Sequence, residues 1–231
     1  MIPTMLEKEG AMSIVQMLFS YGFESALGYI DDGTTYWDWS HCPENIKMLH
    51  EKGLNVTCGA SKVCIYTDDD EDRWVIKIGF CFDHNKLKSI DYHIDFCELE
   101  ANYYDMAINE GCATHFAATY LCGEIDGIKI FLQEKVETQQ DIFEDRIYNY
   151  VSDFYADADC DDEDEVNDYI QGYIDDECTS EDYIMAILGD TPDSRKLLNF
   201  VEKNDINDLH ELNWGVAYDG RIVLIDFSGY R

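Results

Sequence analysis

The run Asp208-Leu209-His210-Glu211-Leu212-Asn213 is followed by a turn pair, Asp219-Gly220, and then by Ile225-Asp226-Phe227. Trp214 to Ala217 and Arg221 to Ile225 flank that turn as the two arms of a hairpin. Three polar side chains, Asp208, Asn213 and Asp226, are thereby expected at the mouth of one small β-unit. Phosphoryl transfer uses such a set. One carboxylate accepts or orients the proton of an acceptor hydroxyl, while an amide oxygen and a second carboxylate hold Mg²⁺ against the phosphates. Asp208 is the expected base, with Asn213 and Asp226 the expected metal ligands.

A second group lies upstream. Lys77, within Val75-Ile76-Lys77-Ile78, is the only charged residue between Val75 and Phe82. In an alternating strand such a lysine points either into a cleft or along a sheet edge with its stem on apolar surface. On the helix expected next, Glu98 and Glu100 both precede an apolar stripe of Tyr103, Met106 and Ala107, and either could reach Lys77. Gly59-Ala60-Ser61-Lys62-Val63 reads as a small-residue loop whose backbone N–H groups approach phosphates, or as a plain β-turn.

Together these segments resemble the protein kinase and aminoglycoside phosphotransferase superfamily. The Asp208-Leu209-His210 form, with Asn213 five residues after Asp208 and Asp226 thirteen after Asn213, is similar to the catalytic loop and metal motif of its small-molecule kinase branch. Val75-Ile76-Lys77-Ile78 resembles the third-strand lysine motif, and Glu100-Ala101-Asn102-Tyr103 the helix whose glutamate pairs with that lysine, which favours Glu100 over Glu98. Gln133-Glu134-Lys135-Val136 resembles the hinge. The resemblance implies ATP and Mg²⁺ as cofactors. Gly59, Ser61 and Lys77 would then meet phosphates, the backbones of Glu134 and Val136 would meet adenine, and Asp208, Lys77 and Glu100 would form the catalytic set. Ile206 and Asn207 depart from the pattern, and few residues follow Asp226 where an acceptor-binding platform is expected.

The elements that must position these residues read as an α+β chain, and the resemblance implies a kinase-like two-lobed fold. An N-terminal helical extension (1–55) precedes an antiparallel N-lobe sheet with one helix (56–136). A reduced, mostly helical C-lobe (137–231) carries an acidic helical insert (137–193) and the catalytic-loop hairpin (205–231). Strands are expected from Val56 to Cys58, Val63 to Tyr66 and Trp74 to Phe80, and a helix from about Tyr92 to Asn109. A second hairpin joins Phe116 to Leu121 with Ile128 to Glu134 through a turn from Gly123 to Gly127. In the insert, Ile142, Phe143, Ile147, Tyr150, Val151 and Phe154 recur at helical spacing, and further helices are expected at Tyr183 to Leu188 and Ser194 to Lys203.

Composition bounds the partners. The net charge of −33 opposes direct binding to nucleic acid or anionic membrane and favours a basic protein or a cationic small molecule as partner or acceptor. No run approaches a membrane span, so a cytoplasmic protein is expected. Nine cysteines with no CxxC pair read as reduced thiols. The acidic run 157–165 lacks the glycine and the closing glutamate of a calcium loop, since Asp162 and Asp168 stand there. Two readings remain open: an ATP-Mg-dependent phosphotransferase, or a catalytically inactive kinase-fold pseudoenzyme serving as an acidic protein-binding module that imitates nucleic-acid charge.

Overall fold

The computed structural model describes residues 2–20, 30–31, 34–35, 47, 49–58, 62–69, 71–79, 95–155 and 163–227. Gly59 and Ser61, the aromatic patch at Tyr36, Trp37 and Trp39, and the first residues of the acidic run, 157–162, lie outside them. The chain is α+β and forms two compact units: Met1–Asp105 with Ala118–Lys135, and Met106–Ala117 with Val136–Arg231.

In the first unit a helix, α1 (Met5–Ser20), precedes a short hairpin, β1 (Ile30–Asp31) and β2 (Thr34–Thr35). Strands β3 (Leu54–Cys58), β4 (Lys62–Thr67), β5 (Trp74–Gly79), β6 (Thr119–Ile125) and β7 (Ile128–Glu134) form an antiparallel sheet in the order β3-β4-β5-β7-β6. Side chains alternate faces along a strand. Val63 pairs with Ile78 and Ile65 with Ile76, so one face is aliphatic. Ala11, Val15 and Leu18 of α1 share a single core with Val63, Ile65, Trp74, Ile76, Ile78, Ile130 and Leu132. The Trp74 indole also donates to Glu7 at 3.0 Å. The N-terminal helix, expected as a separate extension, therefore belongs to the first unit.

The β6–β7 turn is tighter than the expected stretch from Gly123 to Gly127. Asp126 and Gly127 both have positive φ, 51° and 85°, the pattern of a two-residue hairpin turn matched to strand twist. A register shift between Leu121 and Gly123 absorbs the extra residue. Helix α2 (Phe96–Glu110) is capped by Asp95, whose Oδ1 accepts from the N–H groups of Cys97 (2.9 Å) and Glu98 (3.2 Å). Gly79 permits this, because a Cβ there would stand 2.4 Å from Asp95 Oδ1.

In the second unit, β8 (Val136–Glu137) leads to helices α3 (Gln140–Tyr155), α4 (Glu163–Asp176), α5 (Ser180–Leu188) and α6 (Pro192–Lys203), followed by a hairpin of β9 (Trp214–Ala217) and β10 (Ile222–Leu224). The three strands pair antiparallel in the order β10-β9-β8. Helix α3 packs on α4, α5 and β9 through Phe143, Ile147 and Val151, all buried. Ile142 and Phe154, expected on the same stripe, are 47% and 57% exposed, because the buried seam repeats every four residues and they fall beside it. The acidic segment is thus the body of this unit. Its one basic residue, Arg146, donates to the Ile187 carbonyl at 2.7 Å near the C-terminus of α5, where helix polarity favours a cation.

Two helices begin earlier than expected for a common reason. Thr179 and Asp182 form a capping box for α5, and Thr191 with Ser194 another for α6, which opens on Pro192. Among the described residues no helix is long and apolar enough to cross a membrane.

Candidate functional site

The second face of the five-stranded sheet is polar. Lys62 stands opposite Gly79, and Lys77 opposite Cys64. Gly79 and Lys77 are two residues apart, so Lys62 and Lys77 lie diagonally on one face. Gln133 pairs with Val75 and with Thr119, which places both polar side chains on that face as well.

Helix α2 brings Glu100 to these groups. Its buried positions Cys97, Glu100, Tyr103, Tyr104 and Ala107 follow a 3.6-residue period. Lys77 Nζ donates to Glu100 Oε2 at 2.8 Å, Lys62 Nζ donates to Glu100 Oε1, and Gln133 Nε2 donates to Glu100 Oε2 at 3.2 Å and to Thr119 Oγ1 at 3.0 Å. Glu100 is fully buried, and Lys62 and Lys77 are 3% and 4% exposed. Glu98, the other helix glutamate, bonds to Lys129 on the surface. Burial, reinforced by the charge of Glu100, pushes the neighbouring Cys97 thiol well above its ordinary value, so it is no nucleophile.

Glu134, at the end of β7, is 5% exposed. Its N–H donates to the Ala118 carbonyl at 2.8 Å, and its carboxylate accepts from the Ala118 N–H at 3.2 Å. Val136 is placed in β8, opposite Ala217.

The second unit gathers Asp208, His210, Asn213 and Asp226. Leu209 and Trp214 are buried on either side of the loop, and the Trp214 indole donates to the Leu209 carbonyl at 2.9 Å. Ile206 is buried at 3%. The Ile225 N–H donates to the Asn213 carbonyl at 2.9 Å, which brings the end of β10 beside the loop. Phe227 then anchors the chain, fully buried and edge-on to Phe116 at 4.9 Å between ring centres.

His210 organises the loop. Its Nδ1 accepts from the Leu212 N–H at 3.3 Å, and its Nε2 lies 3.2 Å from Asp208 Oδ1 and 3.2 Å from Asn213 Nδ2. The hydrogen bond to Asp208 raises the His210 pKa above its ordinary value against the opposing effect of burial. The charges of Asp208, Glu211 and Asp226 add to the rise. Asn213 Nδ2 donates to the Asp208 carbonyl at 2.9 Å, which orients the amide and leaves Oδ1 as the atom able to bind a metal.

Asn213 Oδ1 and the Asp226 carboxylate are hard oxygen donors, the class that Mg²⁺ takes one or two at a time beside phosphate and water. The residues present fit that ion. Among the described residues no group of three or more His, Cys, Asp or Glu forms an all-protein metal site. The same unit has a cavity of about 200 Å³ lined by Glu144, Asp145, Asp175 and Glu211.

Three residues at these sites carried little sequence signal. Lys62 read as part of a loop, although the alternation that buries Val63 and Ile65 on one face sends Lys62 to the other. Gln133 read only as the start of a hinge. His210 stands inside its motif, where the spacing of Asp208 and Asn213 assigns it no role. Compared with protein-family models, curated proteins and solved structures, the chain matches none.

Proposed function

We propose that this chain is a kinase-like, two-lobed phosphotransferase that uses Mg-ATP. The observation that carries the reading is the buried Lys77–Glu100 bond of 2.8 Å, formed between a strand lysine and a helix glutamate. In phosphoryl transfer such a pair keeps a lysine oriented toward the nucleotide phosphates. The grouping of Asp208, Asn213 and Asp226 in one loop-and-hairpin unit supports it further.

The nucleotide, with Mg²⁺, supplies the transferable phosphoryl group and the charge neutralisation. The protein's part is positioning and electrostatics. Lys77, while still bonded to Glu100, donates another of its three N–H groups to phosphate oxygens. Asn213 Oδ1 and the Asp226 carboxylate would hold the metal. Asp208 accepts the hydrogen bond of an acceptor hydroxyl and takes its proton, while His210 Nε2 fixes the carboxylate. The backbones of Glu134 and Val136 would meet adenine, and Gly59 and Ser61, outside the described residues, would meet phosphate.

The acceptor is cationic in this reading, a basic protein or a cationic small molecule. A net charge of −33 attracts cations and repels nucleic acid. The same charge favours a second reading, a pseudoenzyme that binds basic proteins without turnover. Incubation with γ-labelled ATP and Mg²⁺ separates them. Phosphoryl transfer or slow hydrolysis, lost in Asp208→Asn, is expected for the enzyme. Nucleotide binding with no turnover in either protein would overturn the catalytic claim, and no binding at all would overturn the nucleotide site.

A further inference from the structure

Lys62 and Lys77 reach opposite oxygens of one carboxylate from neighbouring strands. Stability does not account for the second lysine. Desolvating an ammonium costs several kcal/mol, and one ammonium already balances the charge of Glu100. Glu100 already receives Lys77 and Gln133, while the other face of β4 shows how readily this strand packs aliphatic side chains.

We propose that Lys62 is a second phosphate-contacting lysine, so that this sheet face meets a polyphosphate with two cations that share Glu100. The inference rests on the nucleotide reading above. Two ammonium groups bonded to opposite oxygens of one carboxylate can each meet a different phosphoryl group of a polyphosphate. Each ammonium has three N–H donors on a flexible stem, so it can keep its bond to Glu100 and give another to a phosphate oxygen. Glu100 then acts as the common anchor that keeps both lysines aimed. Lys62 contributes to binding of the ligand rather than to proton transfer, which belongs to the other unit.

The test uses the full chain, wild type, Lys62→Met and Lys77→Met, titrated calorimetrically with Mg-ATP and separately with inorganic tripolyphosphate. Each variant is expected to bind both ligands about tenfold more weakly, the loss of one charge-assisted contact. An acyl-phosphate derivative of ATP gives a readout on the unmodified protein. A lysine amine attacks the acyl carbon, the acyl–phosphate bond breaks and ATP leaves, so mass spectrometry reports which lysines lie at the phosphates. Acylation of both Lys62 and Lys77 is expected, and this decides the matter if Lys62→Met does not fold. Acylation of Lys77 alone, or unchanged affinity in Lys62→Met, overturns the proposal while leaving the nucleotide reading intact. Lys62-dependent binding of tripolyphosphate without binding of Mg-ATP would uphold the proposal and overturn that reading. A wild-type protein that binds neither overturns both.

Discussion

Lys77 Nζ lies 2.8 Å from Glu100 Oε2, with the carboxylate fully buried and the lysine 4% exposed. Removing one member of such a pair is strongly destabilising, because the partner charge stays buried. The loss is about 3–5 kcal/mol. Glu100→Gln is therefore expected to lower stability by about that amount in urea unfolding. Glu98→Gln breaks only the partly exposed bond to Lys129 and is expected to cost under about 1 kcal/mol. Equal losses would mean that Glu100 is not the buried counter-ion.

Mg-ATP is expected to raise the melting temperature. At a hundredfold excess over the dissociation constant, ligand binding adds about 2.7 kcal/mol of stability, or about 5–10 °C for a chain of this size. Lys77→Met and Asp226→Asn should each remove most of that shift, while circular dichroism of the apo proteins stays native. Variants that respond like the wild type would leave the nucleotide site misplaced.

His210 predicts a pH dependence. Its folded pKa is raised above 6.5, chiefly by its bond to Asp208, so the ring is cationic below that raised value and holds Asp208 as an ion pair. Turnover should rise with pH as the ring loses its charge and Asp208 becomes a better acceptor. In His210→Asn the acid limb of the kcat profile should move down toward the carboxylate range. For stability the sign is opposite. The favourable contribution is complete below the unfolded value of 6.5 and is lost as pH rises through the folded one. An acid limb that stays in place in His210→Asn would remove His210 from the account.

A cationic acceptor should be drawn by the carboxylates of the second unit. Glu144, Asp145 and Asp175 are exposed, so Gln or Asn at the three positions should leave the fold intact. With a Lys/Arg-rich peptide as acceptor, KM is expected to rise about tenfold, at the low end of field-driven effects, with kcat little changed. Raising salt should mimic the substitution, since the Debye length is about 8 Å at physiological ionic strength and shorter above it. A KM insensitive to both changes would make these acids a solvated surface only.

The sequence by itself determined the elements, because their signals are local. Alternation marks strands at Val63 to Tyr66 and from Trp74 onward, the Asp219-Gly220 pair marks the turn of the last hairpin, and apolar spacing marks the helices, although not where α5 and α6 begin. Its motifs also pointed to Lys77, Asp208, Asn213 and Asp226, and the family resemblance they carry favoured Glu100 over Glu98. Tertiary structure alone decided which groups meet. Lys77 and Lys62 are 23 and 38 residues from Glu100 in the chain, and their convergence depends on strand register and on the phase of α2 against the sheet. The same holds for the acidic helices. The spacing of Phe143, Ile147 and Val151 reads as an amphipathic helix, yet only the fold decides that these three are buried while Ile142 and Phe154, expected on the same stripe, are exposed. Composition records how many charges a segment carries, whereas burial depends on which face a neighbouring element covers, and that is fixed only when the chain has folded.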